Sequence, residues 1–189
     1  DSDASVRAEA ARSLGLLRDE RAVPALCRAL ADPDPDVRFY AAYALGEIKD
    51  KRAADPLLEA LADPEWCVRD QAAWALRELQ DPSLAPRLVR LLSDERADTA
   101  HIEWLLRQMP PQTVVGPLAD LLRSGDEAAK LRGARCLARI EDEAVVPHLL
   151  AALRDRFDGG VVCEPRHPSW FSPEADALLA RFQVARVAA

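Results

Sequence analysis

Three aromatic residues are the side chains with the clearest chemical potential in this chain of 189 residues. Tyr43, Trp74 and Trp104 follow one another at intervals of 31 and 30 residues, so they occupy one position of a repeated pattern. Such side chains bind by burying flat apolar surface and by placing cations on their ring faces, and they dominate the binding energy of many interfaces. The spacing therefore favours recognition of a partner over covalent chemistry.

The residues that most often carry catalysis form no recognisable set in this sequence. His101, His148 and His167 lie in separate segments, and no phosphate-binding glycine loop, HExxH motif or activated-serine motif occurs. Cys163 and His167 are four residues apart and supply only two of the four ligands that a structural zinc site requires. We therefore expect no catalytic residue, no metal site and no cofactor.

The positions of the aromatic residues are set by a repeat of 31 residues. The segments VRAEAARSLGLLRD, VRFYAAYALGEIKD and VRDQAAWALRELQD begin at Val6, Val37 and Val68, and AKLRGARCLARIED begins at Ala129. Dropping one residue before Ile102 restores another copy between the last two. A fixed period of this length is typical of a solenoid, in which each unit buries its apolar side against its neighbours.

Each period predicts two helices. A shorter helix begins near a proline such as Pro24 or Pro56, where a missing amide hydrogen costs nothing, and an acidic link ends it. A longer helix follows, and its apolar positions cluster on one face. The sequence thus predicts an all-α solenoid of stacked antiparallel helix pairs in one domain over 1–189. The repeats cover 1 to about 154, an inserted loop covers 155–171, and a capping helix covers 172–187.

A charged pair recurs with the same period. Arginine follows the first residue of three copies and aspartate ends them: Arg7, Arg38 and Arg69, with Asp19, Asp50 and Asp81. Both are missing from the fourth copy, where Thr99 and Pro111 replace them. We therefore predict that each arginine bonds one of these aspartates and ties the layers together.

The helix positions opposite the apolar face vary between copies, as expected of a surface that carries function. An aromatic centre with a polar rim is typical of a protein interface. The predicted partner-binding residues are Phe39, Tyr40, Tyr43, Trp66, Asp70, Trp74, His101, Trp104, Arg132 and Arg135. The alternative is that the rings pack on one another or under the C-terminal segment, and only thicken the stack.

The pattern VRxxAAxALGxIxD followed by RAxxPLLxAL closely resembles the HEAT-like repeats named after phycobilisome lyases, over residues 1 to about 154. The resemblance implies that the valine-arginine helices line the concave side. A non-enzymatic scaffold for a protein or peptide segment is the favoured function. The resemblance also suggests a bilin-binding or phycobilin lyase-like protein, with Arg132 and Arg135 near the propionates. A third possibility is an alkyl-base DNA glycosylase-like protein, with Asp70, Trp74 and Trp104 around an extruded base.

The composition and charge of the chain limit the classes of partner that it is expected to bind. The net charge of −7, from 25 basic and 32 acidic residues, argues against nucleic acid as the main partner. No apolar run is long enough to cross a membrane. Cys27 and Cys136 fall at helix positions where other copies have apolar residues, which predicts free thiols and a cytoplasmic location. The oligomeric state is left open, and the chain starts within an acidic link, as expected of a segment of a longer array.

Overall fold

The structure is a computed structural model that describes residues 2–94, 99–140, 142–154, 161–163 and 184–186. Ten α-helices lie in those residues and confirm the all-α prediction. They are α1 (Ala4–Leu17), α2 (Val23–Ala29), α3 (Pro35–Ile48), α4 (Ala54–Ala60), α5 (Trp66–Glu78), α6 (Ala85–Leu91), α7 (Thr99–Gln108), α8 (Pro111–Ser124), α9 (Glu127–Leu137) and α10 (Val146–Arg154). Short 3-10 turns at Glu20–Ala22, Lys51–Ala53, Pro82–Leu84 and Glu143–Val145 precede α2, α4, α6 and α10. No described helix is both long and apolar enough to span a membrane.

Aspartate caps begin α1 and α3, and a left-handed residue follows α1, α3 and α5. Asp3 and Asp34 are the N-caps of α1 and α3, and their carboxylates accept hydrogen bonds from backbone N–H groups that the helix leaves unpaired. After α1, α3 and α5, the backbone turns at Arg18, Lys49 and Gln80, with φ of 52°, 61° and 48°. These residues are 31 positions apart, so the first three long helices end in the same repeated turn.

The chain divides into two compact units, residues 1–114 and 115–189. In the first unit α1 packs on α3, α3 on α5 and α5 on α7, while α2, α4 and α6 each pack on the long helix that follows. The buried face of the long helices includes Ala41, Ala42, Leu45, Ala72, Ala73, Leu76, Ile102, Leu105 and Leu106. Burial of the last three residues confirms the register that drops one residue before Ile102. A single domain over 1–189 stays a prediction.

The arginines at the start of the long helices bond different aspartates from the predicted ones. Nε and Nη2 of Arg38 donate to the Asp63 carboxylate at 2.7 and 2.9 Å, and Arg7 bonds Asp32 in the same way. Asp32 and Asp63 lie in the acidic links that precede α3 and α5. The side-chain hydrogen bond to Asp63 raises the pKa of Arg38 above its usual value. The prediction of the partner was wrong, because two aspartates recur with the same period and spacing alone does not distinguish them.

The aspartates that had been predicted as partners cap the 3-10 turns. Asp19, Asp50 and Asp81 each accept a hydrogen bond from the backbone N–H two residues later. The link residues also join successive repeats. Nη1 of Arg38 donates to the Asp32 carbonyl at 2.9 Å, and Nη1 of Arg69 donates to the Asp63 carbonyl at 2.7 Å. A polar chain therefore runs along three repeats at the start of their long helices.

The second unit contains helical repeats and one short strand pair. Ala129, Cys136 and Leu137 of α9 are buried, and Leu121 of α8 lies against Gly133, where an added Cβ would be 3.1 Å from its Cδ2. Strand β1 (Val161–Cys163) pairs in parallel with β2 (Val184–Arg186).

Two predictions for the C-terminal end, a loop and a capping helix, cover the residues that form these strands. The capping helix predicted over 172–187 is wrong at Val184–Arg186, where backbone pairing with β1 replaces helical bonding, and a β-branched residue favours the extended form. Residues 172–183 of that helix lie outside the described residues. Of the loop predicted over 155–171, only Val161–Cys163 is described, as a strand.

Candidate partner-binding surface

The helices of the first unit carry most of the predicted site residues. Helix α3 carries Phe39, Tyr40 and Tyr43, helix α5 carries Trp66, Asp70 and Trp74, and helix α7 carries His101 and Trp104. Arg132 and Arg135 lie on α9, in the second unit. Because α3 packs on α5 and α5 on α7, these aromatic side chains come from adjacent helices of the first unit. We call Phe39, Tyr40, Tyr43, Trp66, Trp74 and Trp104 the aromatic surface.

Tyr43 and Trp74 contact each other across neighbouring long helices. Their ring centroids are 5.7 Å apart and their planes differ by 12°, which is a stacked pair. The indole also covers the backbone of α3 at Gly46, where an added Cβ would lie 2.4 Å from Cζ3 of Trp74. The half-buried Trp74 ring therefore rests on α3. Here the lateral packing that the sequence left open as an alternative does occur.

Trp104 has a different environment. The guanidinium carbon of Arg77 lies 5.8 Å from the centroid of the Trp104 ring, within the range of a cation-π contact. The residue is 37% exposed, and Trp66, at the start of α5, is 63% exposed. These two indoles present the most accessible aromatic area of the surface, and Arg77 supplies a positive charge beside one of them.

One repeat position explains why the Trp74 and Trp104 rings differ in exposure. Gly46 lies 28 residues before Trp74, and Arg77 takes the equivalent position before Trp104 once the dropped residue is counted. Glycine leaves room for Trp74 to lie on the preceding helix, whereas the Arg77 side chain occupies that space and holds Trp104 on its guanidinium. The exposure of a ring thus depends on a residue one layer earlier.

Phe39 and Tyr40 form the beginning of the surface on α3. Their ring centroids are 5.2 Å apart and the planes are nearly perpendicular, at 88°, the edge-to-face geometry that aromatic quadrupoles favour. Both residues are half-buried. Arg12 on α1 bonds Glu9, and this contact raises the pKa of Arg12, with smaller contributions from Tyr40 and Tyr43 nearby. The aromatic surface therefore has a basic group beside its first rings.

Asp70 and His101 join α5 to α7 at the edge of the aromatic surface. Nε2 of His101 lies 3.6 Å from Oδ1 of Asp70, and the side chains are 13% and 61% exposed. The carboxylate is open to water while the imidazole is largely covered. Asp70 is thus a predicted site residue whose carboxylate is open to solvent.

Acidic residues along the other edge hold neighbouring layers together. Glu47 accepts two hydrogen bonds from Arg18, and Glu78 accepts one from Lys49 at 2.6 Å and one from Arg77 at 2.5 Å. These cations hold the pKa of Glu78 below its usual value. Both carboxylates are therefore engaged in bridges between repeats.

Sequence reasoning did not select Gly46 or Arg77. A signal existed for both, because one repeat position reads glycine in two copies and arginine in the next, at Gly15, Gly46 and Arg77. The part of the chain that the structure describes holds no cluster of three or more groups suited to a metal ion. The groups available for contact on these neighbouring helices are two exposed indoles, the Arg77 guanidinium and the Asp70 carboxylate.

Comparison with protein families identifies the repeat. Residues 1–77 match the family of HEAT repeats, and residues 68–94 and 129–155 match the PBS lyase HEAT-like repeat. A search of curated proteins gives no match.

Several solved structures are similar. The complex of CpcE and CpcF of phycocyanin lyase from Nostoc sp. matches with 26% identity and a TM-score of 0.53, covering 84% of this chain and 68% of that chain. Human deoxyhypusine hydroxylase in complex with glycerol matches with 26% identity and a TM-score of 0.40, covering 84% and 65%. An engineered protein matches with 20% identity and a TM-score of 0.45, covering 100% and 95%.

Proposed function

We propose that this chain, which belongs to the HEAT-like repeat family, is a non-enzymatic scaffold that binds a protein or peptide segment on its aromatic surface. The observation that carries the proposal is the exposed Trp104 ring on the Arg77 guanidinium, with Trp66 exposed on the neighbouring helix. Tryptophan and arginine are the residues most enriched at the energetic centres of interfaces. The similarity to the CpcE and CpcF complex supports a protein partner.

The two parts of the aromatic surface have separate roles in this proposal. Tyr43 and Trp74 stack on the scaffold and give the surface a rigid floor, because Gly46 holds the indole against α3. Trp66 and Trp104 provide the area that a partner buries, with Asp70 as the open carboxylate. Arg132 and Arg135, on α9 of the second unit, stay predictions as partner-binding residues. The ligand is thus a segment with apolar side chains and charges of both signs.

The test compares wild type with Trp104→Ala. Each immobilised chain is used to capture proteins from a native extract, and the dissociation constant of a purified captured partner is then measured by calorimetry. Loss of a central residue that contributes about 2 kcal/mol corresponds to a loss of affinity of about 30-fold. Leu17→Ala is the matched control, since Leu17 is apolar, 72% exposed and on α1 outside the predicted set. Equal affinity of wild type and Trp104→Ala would reject the proposal.

A bilin-binding, lyase-like protein is the second candidate. Its support is the similarity to the phycocyanin lyase complex. In this case a flat tetrapyrrole would lie on the exposed indoles, and arginines would bond its propionates. Mixing the chain with a free bilin tests it, because a bound chromophore changes its absorbance band. An unchanged band at saturating concentration removes this candidate.

The proposed compartment is the cytoplasm. Cys27 and Cys67 carry free thiols. Burial raises the pKa of the Cys27 thiol, which keeps it protonated and unreactive. Free thiols of this kind are usual in a reducing environment. Labelling the native chain with a thiol reagent under oxidising and reducing conditions tests the proposal, which expects the same number of reactive thiols in both.

A further inference from the structure

A cavity of about 640 Å³ lies in the first unit where α5 and α7 end. Its floor is apolar, with Leu76, Leu84, Leu88, Leu105 and Met109. This volume is within the range of about 300–1,000 Å³ that is usual for sites that take small organic groups. None of the residues that line it belongs to the set predicted from sequence. One of them, Arg77, contacts the predicted residue Trp104.

A repeated ion pair is absent at this cavity. At the first two junctions between long helices, the residue in the left-handed turn bonds a glutamate of the next helix, as Arg18–Glu47 and Lys49–Glu78. At the third junction the equivalent positions hold Gln80 and Gln108, in the register that the burial of Ile102 confirms. Both glutamines line the cavity, so two neutral amides stand where the other junctions carry a salt bridge.

The charges around the cavity are compensated within the chain. Glu78 is bonded by Lys49 and Arg77, and Asp81 lies 3.8 Å from Lys51. Placing a further charge over the apolar floor would therefore cost desolvation without a matching partner. The amides of Gln80 and Gln108 offer both donors and acceptors, which are the groups that a peptide bond requires.

We infer that this cavity is an anchor pocket for uncharged apolar side chains of a peptide, whose adjoining peptide groups bond Gln80 and Gln108. The inference rests on the proposed scaffold function, and it adds the anchor and its chemistry. Arg77 links the two features, because it lines the cavity and also lies over the exposed ring of Trp104. A segment that covers the ring thus passes the mouth of the pocket.

The single methionine of the sequence gives a direct test, since Met109 lines the cavity. The full chain is labelled with ¹³C at the methionine methyl group and titrated with N-acetyl-leucine N-methylamide. The expected result is a saturable shift of the Met109 signal and a nuclear Overhauser effect between the leucine methyl groups and this methyl. N-acetyl-lysine N-methylamide is expected to bind at least tenfold more weakly.

Closing the pocket provides the matched variants. Gln80→Lys with Gln108→Glu rebuilds the bridge of the other junctions across the mouth, and the Met109 response is expected to disappear. Arg18→Gln with Glu47→Gln makes the reverse change at the first junction, and the response is expected to persist, since neither residue lines the cavity. If the closing variant fails to fold, the Overhauser effect in the wild-type chain shows whether the pocket binds the leucine probe.

The results that would contradict the anchor pocket differ from those that would contradict the aromatic surface. A silent Met109 signal in wild type, equal binding of the lysine probe, or an unchanged response in the folded closing variant would overturn the anchor pocket. None of these measurements uses a protein partner, so the pocket can fail while Trp104→Ala still weakens partner capture. Equal capture by Trp104→Ala alongside a responsive Met109 would instead reject the aromatic surface and keep the pocket.

Discussion

Replacing Gly46 with alanine is expected to destabilise the protein, although alanine is the better helix former. The new Cβ would lie 2.4 Å from Cζ3 and 2.9 Å from Cε3 of Trp74, and 3.0 Å from the Cα of Ala75. Real Cβ atoms do not approach other heavy atoms so closely, so the indole has to leave its position. Moving it also breaks the stack with Tyr43.

The magnitude follows from three contributions. Alanine in place of glycine inside a helix stabilises by about 1 kcal/mol. Overpacking costs about 1–3 kcal/mol, and losing the aromatic stack costs about 0.5–1.5 kcal/mol. The net expectation for Gly46→Ala is a loss of roughly 2 kcal/mol in the free energy of unfolding. Urea unfolding followed by circular dichroism at 222 nm, a wavelength for helix content, measures it.

Two variants separate the ring contact from other effects. Arg77→Ala changes the same repeat position in the next layer, where a Cβ is already accommodated, so it is expected to cost less than Gly46→Ala. In a Trp74→Ala background the penalty of Gly46→Ala should shrink, because the obstructing ring is gone. If Gly46→Ala stabilises the chain, as helix propensity alone predicts, the placement of Trp74 on α3 is refuted.

Three further predictions concern stability. Asp63→Asn should lower the free energy of unfolding by about 2 kcal/mol, since it weakens a charged hydrogen-bond pair with Arg38. The pair is largely buried, with side chains that are 12% exposed for Arg38 and 7% for Asp63. An unchanged free energy in urea unfolding would contradict this prediction. Gln80→Gly should stabilise by up to about 1 kcal/mol, because Gln80 has φ of 48°; a lower urea midpoint would contradict it. Arg21 holds the pKa of Asp19 at about 2 and Arg7 lowers that of Asp32. Free aspartate titrates near pH 3.9, so this stabilisation is present above about pH 4 and is lost as the pH falls towards 2; equal urea midpoints at pH 5 and pH 2.5 would contradict it.

Much of the scaffold follows from the sequence, because a buried face repeats with the helical period. The register that places Ile102 in the core came from spacing alone, and burial confirms it. The partners of Arg7 and Arg38 did not follow, since two aspartates share the period and only the fold brings Asp32 and Asp63 to the arginines. Strand β2 depends on pairing with β1 far away in sequence, which no local pattern encodes.

The residues of the candidate site stay a prediction, and the structure adds how exposed each ring is. Periodicity placed Trp74 and Trp104 at one position, but one ring rests on Gly46 and the other on Arg77. That difference arises from the preceding layer, so it emerges only when neighbouring helices are packed. The cavity between α5 and α7 was missed for a similar reason, because residues of neighbouring layers line it, with Gln80 and Gln108 where the first two junctions carry a salt bridge.

Fluorine NMR tests the central claim most directly. The chain is labelled with 5-fluorotryptophan, the signals are assigned with single Trp→Phe variants, and spectra are compared in H₂O and D₂O with and without a partner purified by capture. The account predicts that Trp66 and Trp104 show large solvent isotope shifts in the free chain and lose them in the complex, while Trp74 changes little. Retention of both shifts in a saturated complex would contradict binding on this surface.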